Sequence, residues 1–106
     1  MPKYMIAASY TAEGLKGLQK DKASGRRTVV NKVVESVGGK VEAMYFALGE
    51  QDVIVIADLP DTVSATAIAL GVSASGLVRT KTTALLSVEE TDKALAKKID
   101  YTPPGR

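Results

Sequence analysis

The chain has 106 residues, enough for one domain that buries about two-thirds of its unfolded surface in a single core. Apolar residues make up 45% and charged residues 25%, which is typical of a globular protein and not of a disordered one. The sequence contains no histidine, cysteine or tryptophan. This excludes disulfides, thiolate or imidazole metal ligands and histidine-based triads. We therefore expect no metal site and no cofactor, and any chemistry must use carboxylates, Lys, Arg, Tyr, Ser or Thr.

The net charge of +2 is too small to indicate a nucleic-acid-binding protein. Six basic residues and one acidic residue lie between Lys16 and Lys32, but no aromatic side chain lies among them to stack on bases. We expect a solvated loop there. The N-terminus lacks the pattern of a leader, and the densest apolar run, Val53–Ala57, is far too short to span a bilayer. A cytoplasmic protein with no membrane or nucleic-acid partner is the expectation.

The first half of the chain predicts a strand followed by an interrupted helix. Lys3–Tyr10 is apolar or small at nearly every position, which is typical of a central strand covered on both faces. Leu15–Lys20 predicts one or two helical turns and Asp21–Ala23 a loop. Ser24–Val37 has valines at helical spacing, with Ser24 as its N-cap and Gly38 as the residue that ends it.

The second half predicts a hairpin, a helix, a strand and a last helix. Lys40–Leu48 and Asp52–Leu59 have the composition of strands joined by a short turn. Thr62–Ser75, capped by Asp61, is apolar almost all round, which predicts a helix buried on more than one side. Leu77–Leu86 is rich in Thr and predicts a fourth strand after Gly76. The residues from Ser87 to Lys98 begin with a capping box and predict a final helix.

This order predicts an α+β ferredoxin-like βαββαβ fold with an extra C-terminal helix and an antiparallel four-stranded sheet. The first and third strands would lie in the middle of the sheet, and both of their faces are apolar. Because helices cover one face only, something must cover the other. The last helix is one candidate, and a second copy of the sheet covers more. We therefore expect a homodimer, or a multiple of dimers, with sheets packed face to face.

Four segments resemble GYD domain proteins, and the resemblance covers essentially the whole chain. They are Ala8–Gly14, Gly49–Asp52, Asp58–Asp61 and Arg79–Thr82. The resemblance implies a single GYD-like domain over residues 1–106, with the dimeric α+β barrel fold and no assigned activity. Gly49 and Asp52 match the signature, whereas Gln51 stands where Tyr is usual. Relatives in the superfamily include monooxygenases, lactone isomerases and haem enzymes, several of which depend on His or Trp, and this chain has neither.

Two acids are candidate catalytic residues. Asp52 opens a central strand after a turn, where its carboxylate would act as a general base or would hold the turn through backbone amides. Glu42 is the second acid, and Tyr45 on the same strand offers a phenol. Alternation along a strand places Glu42 and Tyr45 on opposite faces, which predicts that they do not form one site.

Four cations are candidate ligand-binding residues. Arg79 and Lys81 share one face of an edge strand, where they would clamp an anion or remain solvated. Arg26 and Arg27 fall in the first turn of the predicted Ser24 helix, where the helix dipole disfavours cations. Either an acid such as Glu13, Asp21 or one on another subunit compensates them, or the site receives a small anionic ligand.

Three functions remain open at this point. The first is a small-molecule-binding protein, with or without a preference for anions, whose pocket lies between sheet and helices. The second is a cofactor-independent enzyme that transfers protons with Asp52 or Glu42 and an Arg or Lys as electrophile. The third is a module whose only work is oligomerisation.

Overall fold

The computed structural model describes all 106 residues, Met1–Arg106. Seven elements follow one another along the chain. They are β1 (Lys3–Tyr10), α1 (Ala12–Ser36), β2 (Lys40–Phe46), β3 (Val53–Asp58), α2 (Thr62–Ser73), β4 (Val78–Leu85) and α3 (Val88–Ala96).

The four strands form one antiparallel sheet in the order β2-β3-β1-β4. The predicted ferredoxin-like α+β fold is confirmed, as are the central positions of β1 and β3. Alternate residues of the central strands face α1 and α2, among them Tyr4, Ile6, Val53 and Val55, and these are buried. The remaining alternate residues form a second sheet face that no helix covers. We call it the helix-free face.

Helix α1 is broken at Lys22, whose backbone has left the helical region with φ 67° and ψ 164°. An interruption between Asp21 and Ala23 is thus confirmed, but it is a break at one residue, and the loop predicted there and across Lys16–Lys32 is wrong because the stretch is helical on both sides of Lys22. The first segment begins earlier than predicted, because the Thr11 side chain caps it and accepts a hydrogen bond from the Gly14 amide at 3.2 Å. The predicted N-cap at Ser24 is wrong. Lys22 is the residue with non-helical dihedrals, so Ser24 already lies inside the second segment.

The ends of the helices follow the local signals in the sequence. Gly38 ends α1 with φ 83°. Asp61 Oδ1 accepts from the Ser64 amide at 2.8 Å and caps α2. The capping box of α3 is complete, since Ser87 Oγ accepts from the Glu90 amide at 3.0 Å and Glu90 Oε1 accepts from the Ser87 amide at 2.9 Å. Helices α2 and α3 each end two residues before the predicted boundary.

The prediction that α2 is buried on more than one side is wrong for the single chain. Ala65 and Ile68 pack into the core, but Val63 is 77% exposed and Leu70 is 68% exposed. The reason is the layer order. Helix α2 is an outer layer on the sheet, and no further element of the chain lies beyond it.

The chain is extended for its length. Its radius of gyration is 16.8 Å and its principal extents are 56 × 33 × 23 Å, whereas a compact domain of this size has a radius near 13 Å. Helix α3 contributes to the extension, since none of its residues is buried. Val88 and Leu95 on α3, and Ile99 beyond it, are each at least three-quarters exposed. The last helix therefore does not shield the helix-free face.

No helix combines the length and the apolar character that crossing a bilayer requires.

Candidate ligand-binding site

A cavity of about 320 Å³ lies between the helices and the covered face of the sheet. We call it the helix–sheet cavity. Residues of β1 and β3 form its floor, valines of the second α1 segment form one wall, and α2 forms another. Most of its lining is apolar and includes Ile6, Val30, Val33, Val55, Ile68 and Val72. The valines at helical spacing in Ser24–Val37 predict a helix face buried in the core. In the structure they form part of the wall of an open space.

Glycines line this cavity on both helices. A Cβ atom built on Gly17 of α1 or on Gly71 of α2 would have no neighbouring atom within 4 Å. Gly14 is different, because a Cβ there would collide with the Leu77 carbonyl oxygen. Gly14 therefore lets α1 approach the start of β4 closely, whereas Gly17 and Gly71 leave space unfilled.

Only two charged residues line the helix–sheet cavity, Asp21 and Arg26. Arg26 is partly buried, and its Nε atom is fully buried without a hydrogen-bond partner. The two ion pairs of the chain both involve Lys3, so Glu13 and Asp21 do not compensate either arginine within one subunit. Arg27 is exposed and does not line the cavity. The structure thus separates two arginines that the sequence alone treats as a pair.

Asp52 holds the start of β3 to the end of β1. Its Oδ2 accepts a hydrogen bond from the Tyr10 amide at 2.8 Å, and its own amide donates to the Ala8 carbonyl at 2.8 Å. This is the backbone-anchoring role considered in the sequence. Asp52 does not line the helix–sheet cavity. A catalytic role for this carboxylate stays a prediction.

Glu42 and Tyr45 lie on the same side of the sheet, and the prediction that they face opposite sides is wrong. The register of β2 against β3 shifts between Val41 and Ala43, which is a β-bulge. The extra residue reverses the alternation, so that Tyr45 pairs with Ile54 on the helix-free face. Glu42 reaches the same face.

Lys3 links two acids at the edge of the helix-free face. Its Nζ donates to Glu42 Oε1 at 2.9 Å and to Asp58 Oδ1 at 2.8 Å. These hydrogen bonds raise the pKa of Lys3, with the bond to Asp58 the larger cause, and the bond from Lys3 lowers the pKa of Asp58. Glu42 is therefore engaged in an ion pair.

Arg79 and Lys81 share the helix-free face, as predicted, where they pair with Ser9 and Ala7 of β1. Both are exposed, and neither lines the helix–sheet cavity. They lie on edge strand β4, while Glu42 lies on the opposite edge strand β2. Three strand spacings, about 14 Å, separate the two edges. One chain therefore does not bring these cations together with Glu42.

The sequence reasoning missed the glycines as features of a site. Gly14 and Gly17, three residues apart near the start of α1, and Gly71 in the last turn of α2 are poor helix formers at positions where a helix is otherwise well marked. That conflict between residue type and predicted element is the signal that was available. It indicates that other requirements outweigh helix stability at these positions. At Gly14 the requirement is the close approach of α1 to the start of β4, and at Gly17 and Gly71 it is the space of the cavity.

A family model of the GYD domain matches residues 4–95, which include β1 from its second residue, the other three strands and both helices that flank the cavity. The chain belongs to the GYD domain family. No curated protein and no solved structure is significantly similar to this GYD domain. The family match agrees with the resemblance of the four segments. It assigns no activity to the chain, so the proposed function rests on the site.

Proposed function

We propose that this GYD domain is a small-molecule-binding protein whose ligand occupies the helix–sheet cavity. The observation that carries the proposal is the cavity itself. About 320 Å³ of space with an apolar lining, partly open to solvent, lies between two helices and the sheet. Ligand sites are typically concave, mostly apolar and of roughly 300 to 1,000 Å³. An anionic ligand is the finer form of this proposal, because Arg26 is the only cation that lines the cavity.

The alternative of proton-transfer catalysis has less support from the geometry. Asp52 is bound to a backbone amide, Glu42 is bound to Lys3, and neither lines the cavity. The alternative of a purely oligomeric module would be favoured by a solid core between sheet and helices. The cavity argues for binding over both.

A cavity-filling variant tests this proposal. The probe is 1-aminoanthracene, a neutral apolar dye whose fluorescence reports burial. Gly71→Leu adds a side chain at a position that lines the cavity and has open space before it. We expect saturable dye binding by the wild-type chain and much weaker binding by Gly71→Leu. Its melting temperature should be equal or higher, because Leu favours helix over Gly by about 1 kcal/mol.

The matched control is Ala67→Leu, which adds the same kind of bulk to an exposed position of α2 outside the cavity. It should bind the dye as the wild-type chain does. Equal binding by all three proteins, or no saturable binding by the wild-type chain, would contradict the proposal.

We further propose that the working form is a homodimer or a multiple of dimers. The chain exposes 7745 Å², whereas a compact monomer of 11.1 kDa exposes about 5,700 Å². The excess of about 2,000 Å² is comparable to what each partner buries in an obligate dimer. The helix-free face supplies a surface for it, with Met5, Ile54 and Ile56 half-buried and Tyr45 69% exposed.

Light scattering on the purified protein tests the assembly. We expect a mass of two chains or a multiple of two at micromolar concentration. Ile54→Lys, which places a charge on the helix-free face, should break this contact and halve the mass. Val63→Lys places the same charge on the outer side of α2 and should leave the dimer intact. A mass of one chain for the wild-type protein at every concentration would refute the dimer.

A further inference from the structure

Arg26 carries a donor that the chain itself does not satisfy. Its Nε atom is buried and has no hydrogen-bond partner, and neither ion pair of the chain involves it. A guanidinium group has five N–H donors and no acceptor, so a buried N–H of this group requires an acceptor from elsewhere. Buried polar groups in native structures nearly always have one. Arg26 is thus the one cation, without an ion pair, on a mostly apolar lining, and its guanidinium is the group there that can bind an anion.

The lining of the helix–sheet cavity offers no carboxylate in position to meet this need. Asp21 is the only acid in the lining, and it lies beyond ion-pair distance of Arg26. It precedes the break at Lys22, whereas Arg26 follows it, so the two residues lie on different helical segments. Most carbonyl oxygens of a helical wall are engaged in the helix's own hydrogen bonds. An acceptor for the accessible N–H groups of the Arg26 guanidinium would therefore come from a bound molecule or from water.

We propose that the ligand of this cavity is an amphiphilic monocarboxylate, with its carboxylate on Arg26 and its apolar body over the sheet floor. This inference rests on the proposed function of small-molecule binding. The apolar body follows from the lining, in which Ile6, Val55 and Val72 offer no polar partner. The single negative charge follows from the single cation. A phosphate dianion or a dicarboxylate would leave a second negative charge unpaired in an apolar space, and Asp21 would repel it more strongly than it repels a monocarboxylate.

The carboxylate is favoured over a neutral polar group for a physical reason. A hydrogen bond between an arginine N–H and a carboxylate is shorter and about twice as strong as one between neutral groups, and the low dielectric of the cavity increases the difference. Loss of one such charged partner in a buried site corresponds to a change in affinity of about tenfold or more. The headgroup preference is therefore large enough to measure.

The test compares octanoate with octanamide on the full chain by isothermal titration calorimetry. The two probes have the same apolar length and nearly the same headgroup shape, and they differ in charge. Buffers are matched in chloride. We expect octanoate to bind about tenfold more tightly than octanamide. Arg26→Gln should abolish this ratio, and Arg27→Gln is the matched control that should preserve it, since Arg27 is the adjacent arginine outside the cavity.

The outcomes separate this inference from the proposed function. Equal affinities for the two probes in the wild-type chain would overturn the monocarboxylate and leave small-molecule binding standing, as would a ratio that Arg26→Gln does not change. If the wild-type chain binds neither probe and also fails to bind 1-aminoanthracene, the proposed function itself fails. The wild-type comparison decides the inference even if Arg26→Gln does not fold.

Discussion

Two glycines near the start of α1 should respond to the same substitution with opposite signs. Gly14 and Gly17 lie one turn apart, and in a solvated helix each change to Ala would stabilise the fold by roughly 0.5–1 kcal/mol. Gly17 has open space before it, so Gly17→Ala should give about that gain in the free energy of unfolding. Gly14 has none, because a Cβ there would collide with the Leu77 carbonyl oxygen.

The cost at Gly14 has two parts. The new Cβ must push away the Leu77 carbonyl, and overpacking of this kind typically costs about 1–3 kcal/mol. That same oxygen accepts from the Thr11 amide at 2.9 Å and from Thr11 Oγ1 at 3.2 Å, so moving it weakens two hydrogen bonds worth about 1 kcal/mol each. After the gain in helix propensity, Gly14→Ala should lower the free energy of unfolding by about 1–3 kcal/mol.

Urea denaturation followed by circular dichroism measures both variants, at one protein concentration because dimerisation contributes to apparent stability. The sign of the difference is the test. If Gly14→Ala proves as stable as Gly17→Ala, the close contact between α1 and the start of β4 does not exist in solution, and the placement of the first helical segment over the cavity is wrong.

Substitutions at three further positions have defined outcomes. Leu59→Ala, at a fully buried side chain, should lower the free energy of unfolding by about 2–5 kcal/mol in urea, and a loss below about 1 kcal/mol would contradict the packing. Asp52→Ala should lower the free energy of unfolding by about 1 kcal/mol, because the Tyr10 amide loses its acceptor. Asp52→Asn should lower it less, because the asparagine keeps an oxygen that can accept. Equal losses for the two variants would argue that Asp52 does not anchor the Tyr10 amide. The hydrogen bond from the Ser64 amide lowers the pKa of Asp61 below its ordinary 3.8. The stability that the ionised Asp61 cap contributes is therefore fully present above pH 3.8, and it is lost as the pH falls through the lower pKa of Asp61 in the folded state. The melting-temperature difference between wild type and Asp61→Ala should therefore shrink in acid, and a constant difference from pH 7 down to about 2 would refute the cap.

Local signals in the sequence were sufficient for most of the fold. The cap at Asp61 and the capping box at Ser87 and Glu90 depend on atoms only three residues apart, so the residue types alone predict their geometry. Strand β1 was predicted at Lys3–Tyr10, where the structure has it. Continuous apolar character is a property of the segment itself, and it identifies a central strand without knowledge of the neighbours.

The errors came from features that depend on distant parts of the chain. The bulge between Val41 and Ala43 is set by the pairing of β2 with β3, and nothing in β2 alone announces it. One inserted residue was enough to move Tyr45 to the other side of the sheet. The outer side of α2 was expected to be buried because its composition is apolar, but composition does not reveal how many layers a single chain supplies.

The candidate site was predicted in part. The position of Arg26 after a helix break conflicts with the helix dipole, and that conflict is visible in the sequence. The sequence does not distinguish Arg26 from Arg27, because the rotation of the second α1 segment against the sheet decides which of the two lines the cavity. The volume of the cavity is likewise a property of how three elements pack, and no single segment encodes it.

The apolar surface that the chain leaves uncovered lies on both sides of its sheet. Met5, Ile54 and Ile56 belong to the helix-free face, whereas the outer side of α2 lies on the opposite side. Exposed apolar residues of α2 and its C-cap follow at intervals of four, three and four residues, which is the spacing of a helix–helix seam. They are Val63, Ala67, Leu70 and Ala74. A two-fold dimer formed through the helix-free face buries the first surface and leaves the second untouched. Pairing of dimers through α2 would be a separate contact, which is the physical reason for expecting either two chains or a multiple of two.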